Sequence, residues 1–92
     1  MTYSFTSYIK DHKYAQCKVI QYSNGDFILR SYSTDVVIVH DRWLECTGVY
    51  SRTTIKHIGW FMRELGFDYY TAKQLWQDGL KMNIDTGEVV PV

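Results

Sequence analysis

The stretch "QCKVIQYSNGDFILRSYSTDVVIVHDRWLECTG", residues 16–48, decides the fold, because its apolar residues recur with the period of strands rather than helices. "QCKVIQY" (Gln16 to Tyr22) runs into Ser23-Asn24-Gly25-Asp26, and an Asn-Gly pair supplies the positive φ angles of a tight hairpin turn. "DFILRSY" returns, "DVVIVH" (Asp35 to His40) is dense in β-branched residues, and "RWLECTG" (Arg42 to Gly48) follows a short His40-Asp41 link. The expected result is an antiparallel meander of about four strands. Within it, Val36 and Ile38 face one way and Val37 and Val39 the other, so both faces need cover. Helices can cover one. The N-terminal arm (Tyr3, Phe5, Tyr8), a second copy or a partner is left for the other.

Downstream the period changes. In "VYSRTTIKHIGWFMRELGF" (Val49 to Phe67), Ser51 is a good N-cap, with Thr53 as the alternative, and Ile55, Ile58, Phe61, Met62 and Leu65 fall on one side of a helix. Gly66 is its C-terminal stop, with Phe67 placed to fold back in the Schellman pattern. A second helix is signalled by the capping box Thr71-Ala72-Lys73-Gln74 and ends near Gly79, anchored by Leu75 and Trp76. Asp85-Thr86-Gly87-Glu88 is a turn, and Val89-Val90 a short edge strand or tail ended by Pro91. The fold class is therefore α+β: an antiparallel meander, two α-helices and a short C-terminal strand or tail, in one domain over residues 1–92.

Ten basic and ten acidic residues cancel, so no whole-molecule field draws the chain to nucleic acid or to an anionic membrane. The charges are nevertheless segregated. Residues 51–63 carry three basic groups and no acid, and residues 64–92 carry two basic and five acidic groups. With about 100° per residue, Arg52, Lys56, Gly59 and Arg63 lie within one narrow stripe, and Trp60 sits beside it, away from the apolar side. A stripe opposite a core face is ordinarily solvated. The alternative is a contact patch of Arg52, Lys56, Trp60 and Arg63, since arginine and tryptophan most often carry interface energy. Tyr69 and Tyr70, expected in the loop between the helices, would extend it, as tyrosines in loops favour contact surfaces.

No motif signals catalysis, a cofactor or a metal. His12, Cys17, His40, Cys46 and His57 have neither metal-ligand nor nucleophile–base spacing, and Gly48 and Gly59 fit no phosphate-binding loop. The two cysteines read as reduced structural residues. With no basic-then-apolar leader at Met1 and no apolar run of membrane-spanning length, the expectation is a cytoplasmic protein without membrane partners.

Two segments, "LRSYSTDVV" (Leu29 to Val37) and "YSRTTIKHIGWFM" (Tyr50 to Met62), resemble a family of short phage and mobile-element proteins of uncharacterised function. The matching positions are Ser31, Tyr32, Thr34 and Val36, then Tyr50, Ser51, Thr53, Thr54, Lys56, His57, Ile58 and Phe61. The resemblance transfers no catalytic residue. It implies a phage or plasmid accessory gene acting in a bacterial host cell, a setting in which small proteins inhibit host defence, as anti-CRISPR proteins do. The expected function is a non-enzymatic inhibitor that contacts a bacterial defence effector, such as an RNA-guided nuclease, through either its acidic C-terminal third (Glu64, Asp68, Asp78, Asp85, Glu88) or the basic helix; the alternative is a nucleic-acid-binding module using the basic helix face, with a homodimer as a third outcome.

Overall fold

The computed structural model describes residues 17–48 and 51–92. The arm of Tyr3, Phe5 and Tyr8, together with His12 and Tyr50, lies outside the described residues. Six strands form one antiparallel sheet in sequential order: β1 (Cys17–Gln21), β2 (Phe27–Ser31), β3 (Thr34–His40), β4 (Trp43–Cys46), β5 (Leu80–Asn83) and β6 (Val89–Pro91). Between β4 and β5 the chain forms α1 (Arg52–Glu64) and α2 (Tyr69–Asp78). The class is mixed α+β as expected, but there are six strands rather than about four. β6 is the expected C-terminal strand, whereas β5 is new.

Three different turns build the meander. The Asn-Gly turn is a three-residue loop rather than a two-residue one, because only Gly25 has a positive φ (96°) while Tyr22 and Asp26 close the loop through Tyr22 N–H to Asp26 O at 2.9 Å. At the β2–β3 turn Tyr32 has a φ of 57°, an uncommon conformation for a bulky residue. Between β3 and β4, Asp41 (φ 52°) and Arg42 (φ 70°) both lie in the left-handed region, and His40 pairs with Trp43 across them. Asp26 holds that turn from the neighbouring hairpin, accepting from Asp41 N–H at 3.0 Å and meeting His40 Nδ1 at 2.6 Å. Arg42 reaches the β5–β6 turn with two bonds to Asp85, at 2.8 and 2.6 Å.

The run Val36 to Val39 resolves differently from a strand buried on both faces. Leu29 pairs with Val37 and Arg30 with Asp35, so Val36 is an extra, bulged residue. Val36, Val37 and Val39 are all buried, and Ile38 is half-buried. Helix α1 packs over β2 and β3, and α2 over β4 and β5. Their shared core holds Phe27, Leu29, Leu44, Ile58, Phe61, Met62, Leu75 and Met82, with Phe27 and Phe61 in an edge contact at 5.9 Å between ring centroids. On the other side of the sheet, Ile28, Ile38 and Trp43 line shallow hollows, and Lys81 Nζ lies 5.5 Å from the Trp43 ring centre.

Both helix ends of α1 follow the sequence expectation. Ser51 Oγ caps it, accepting from Thr54 N–H at 3.2 Å. At the far end Gly66 (φ 91°) donates to Arg63 O and Phe67 to Met62 O, which is the Schellman pair. The start of α2 differs: its N-cap is Asp68, not Thr71, and the Asp68 carboxylate accepts from both Thr71 N–H and Thr71 Oγ–H, at 2.9 and 3.0 Å. The helix therefore begins three residues earlier than the capping box suggests, and Tyr69 and Tyr70 sit in its first turn rather than in a loop. Gly79 (φ 66°) closes α2 and turns the chain directly into β5.

Candidate functional site

Helix α1 enters the core on a wider front than its apolar stripe. Buried positions Thr54, His57, Ile58, Phe61, Met62 and Leu65 repeat at helical spacing, so the sheet-facing side begins with two polar residues. Ile55, expected in the core, is only half-buried, at the flank. The polar positions are satisfied by β2: Ser31 Oγ lies 3.0 Å from Thr54 Oγ1 and 2.9 Å from His57 Nδ1. Ser51 Oγ donates to Thr54 Oγ1 at 3.1 Å. With Nδ1 accepting, Ser51, Thr54 and Ser31 each donate once along a single chain of hydroxyls ending on His57. The Tyr32 ring closes over His57, 6.2 Å between centroids. Ser31, Tyr32, Ser51, Thr54 and His57, which were singled out in two separate segments, thus form one cluster.

Ser31 and His57 stand at the distance of a nucleophile and its base, but His57 is 1% exposed and Ser31 equally enclosed. No substrate reaches them in this arrangement. What they can do is fix α1 on the sheet, since each buried polar group holds its neighbours through bonds that are costly to leave unmade. Among the described residues the remaining cysteine and histidine side chains are dispersed. Burial pushes the Cys17 thiol up to about 11, and burial also raises that of Cys46, whose Sγ–H points to Gly48 O at 3.7 Å. His40 belongs to the Asp26 turn.

The outer flank of α1 faces the first turn of α2. A groove of about 630 Å³ opens between them, lined by Ile55, Lys56, Gly59, Trp60, Arg63, Tyr69 and Tyr70. Five of the six residues expected to contact a partner meet here: Lys56, Trp60, Arg63, Tyr69 and Tyr70. The sixth, Arg52, is exposed one turn before Lys56 but is not among the lining residues. Gly59 is the floor. A Cβ at that position would meet Tyr69 Cβ at 3.7 Å and Arg63 Nη1 at 3.8 Å, ordinary contact distances, so α2 passes close to this face of α1 and still leaves room for a methyl group.

Two aromatic placements correct the sequence expectation. Trp60, read as lying on the outer side, is 6% exposed and tilts against Phe61 with ring centroids 6.3 Å apart. Trp76, read as an anchor of α2, is 41% exposed. The two tryptophans exchange roles because α1 is buried on its flank as well as its apolar face, while α2 needs only Ala72 and Leu75 on the sheet. Tyr69 is half-buried, its phenol pushed up by burial first and then by Cys46 and Tyr70, so it stays protonated and able to donate. Tyr70 is 72% exposed and sits edge-on to Tyr69 at 5.6 Å.

The cations of α1 differ from the arginines of the sheet and its turns. Arg30 is held by Asp35 at 2.6 Å and Arg42 by Asp85, whereas Arg52, Lys56 and Arg63 have no ion pair among the described residues. No carboxylate is among the described residues that line the groove.

A match to the model of a family of unknown function (DUF8033) covers residues 3–78, most of the chain. The chain belongs to the DUF8033 family. No curated protein and no solved structure matches it. The DUF8033 match spans β1 to β4 and both helices, so the groove and the hydroxyl–imidazole cluster both fall inside it, and β5 and β6 lie beyond it. No described helix of this DUF8033 chain is long and apolar enough to cross a membrane.

Proposed function

We propose that this protein is a non-enzymatic binding protein whose contact surface is the groove between α1 and α2. The observation that carries this reading is the set of cations without an ion pair among the described residues, Lys56 and Arg63 in the groove and Arg52 beyond it, beside the exposed ring of Tyr70. Arginines elsewhere in the described structure are neutralised by aspartates, so the groove joins arginine charge without an aspartate partner to aromatic surface. Such a surface supports recognition of an anionic partner. The resemblance of the "LRSYSTDVV" and "YSRTTIKHIGWFM" segments to short phage and mobile-element proteins supplies the setting. In it, the partner is a bacterial nucleic-acid-targeting defence effector, such as an RNA-guided nuclease, and the protein inhibits it by protein–protein contact in the host cytoplasm.

Plating a targeted phage on a defended host, with and without this gene, tests the reading. Plaques should appear with the wild-type gene and disappear with a Lys56→Gln/Arg63→Gln variant that keeps its thermal midpoint. Absence of rescue against every resident defence system would contradict it. A second reading, a nucleic-acid-binding module, is favoured by the exposed Tyr70 ring in the same groove as Lys56 and Arg63, which suits base stacking with phosphates on Arg52, Lys56 and Arg63. Under that reading, changing all three cations to glutamine lowers affinity and flattens the salt slope by about 2 to 3.

A further inference from the structure

Building on the reading of the α1–α2 groove as the contact surface, we infer that its occupant is an acidic amphipathic helix of a protein partner. Spacing is the first argument. Lys56 and Arg63 are two turns apart on one helix, about 10.5 Å along its axis, and Arg52 lies one turn earlier, about 6 Å from Lys56. Carboxylates on a partner helix laid alongside repeat at the same two intervals. Side chains on one face of an extended chain repeat every 6.6 to 6.8 Å or so, which fits the shorter interval and misses the longer.

The lining between the cations is the second argument. Ile55, Gly59, Trp60, Tyr69 and Tyr70 make the groove mostly apolar and aromatic, which suits an apolar residue placed between two carboxylates on a docked helix. The third argument weighs against a nucleic-acid strand. Glu64 directly follows Arg63, and Asp68 directly precedes Tyr69, so a phosphate backbone leaving the stripe at that end meets negative charge. The N–H and hydroxyl of Thr71 keep the Asp68 carboxyl below the usual carboxylate range, and it stays charged. A helix carrying a basic residue one turn beyond its second carboxylate meets the same end favourably. Outside the stripe the chain carries seven basic and ten acidic groups, a net negative charge that opposes a polyanion.

The test uses a labelled alanine-based peptide of about 20 residues, long enough to be helical alone, with two glutamates seven residues apart and leucines between them. Three comparison probes accompany it: its glutamine counterpart, a permuted peptide of equal composition, and a single-stranded oligothymidylate. Fluorescence anisotropy at low salt should show binding of the patterned peptide only, weakened at least about tenfold by Lys56→Glu/Arg63→Glu and unchanged by Lys18→Glu on β1. The charge-reversed variant should in turn bind a peptide with lysines at the two glutamate positions. Equal binding of the permuted peptide, or no binding of the patterned one, overturns the inference. Tighter binding of the oligonucleotide that is lost in the Lys56→Glu/Arg63→Glu variant overturns the helical occupant while retaining the groove. Binding that is indifferent to both groove cations overturns the groove reading as well.

Discussion

His57 shows how a single buried residue can be hidden in a sequence. Its imidazole and Thr54 occupy the first two turns of the sheet-facing side of α1, continuing backwards the spacing of Ile58, Phe61, Met62 and Leu65, and Ser31 meets both from β2. That continuation was available from the spacing alone, but polar identity argued against a core position, and the partner on β2 is 26 residues away. Replacing Ser31 with alanine removes a bond from both Thr54 and His57 and should cost about 1 to 3 kcal/mol, read as a lower urea midpoint with unchanged slope. An unchanged midpoint would show that the cluster does not hold α1. The thiols give a second residue-scale prediction. Cys17 titrates at 9.0 in its ordinary state and at about 11 when folded, because burial disfavours the thiolate. A raised folded value means that stability is fully present below pH 9.0 and declines as pH rises toward about 11. Native-state labelling at neutral pH should accordingly be slow at both cysteines and complete on adding denaturant.

At the scale of elements, the features written in local sequence were readable and those set by longer range were not. Ser51, Gly66 and Phe67 mark the ends of α1 by cap chemistry confined to a few residues. The start of α2 is misplaced at Thr71 by its capping box, because Asp68 three residues earlier is itself a capping residue and takes the Thr71 N–H. β5 leaves a weaker trace, the alternation of Leu80, Met82 and Ile84, too short to separate from a tail until Leu44 pairs with Met82. Gly59 and Gly79 make opposite predictions. Gly59 lies within α1 and its added Cβ would meet only ordinary contacts, so Gly59→Ala should stabilise by up to about 1 kcal/mol in thermal unfolding. Gly79→Ala should destabilise, because its φ of 66° is costly for any side chain. A loss of stability in Gly59→Ala would mean that the approach of Tyr69 leaves no room. The loop carboxylates should weaken the fold in acid. Asp26 is held below the usual carboxylate range, chiefly by the Asp41 N–H and then by His40, so its contribution is present above that range and lost as pH falls. An Asp26→Asn variant should show a flatter loss of thermal midpoint between pH 5 and pH 3 or so.

For the molecule as a whole, the fold explains why the charge segregation seen along the chain becomes a surface. The sheet neutralises its own arginines with Asp35 and Asp85, and the helices, laid over one face, bring the basic stripe of α1 against the tyrosines of α2. Periodicity exposed the stripe, but the groove is not foreseeable with Tyr69 and Tyr70 in a loop, since their place in the first turn of α2 sets Tyr69 against Gly59 and both rings along the groove. The most direct test is capture of the partner from host lysate by wild-type protein and by Lys56→Gln/Arg63→Gln at matched thermal midpoint. The account predicts a discrete partner retained by the wild type and lost from the variant; equal recovery by both would contradict the assignment of the groove as the contact surface.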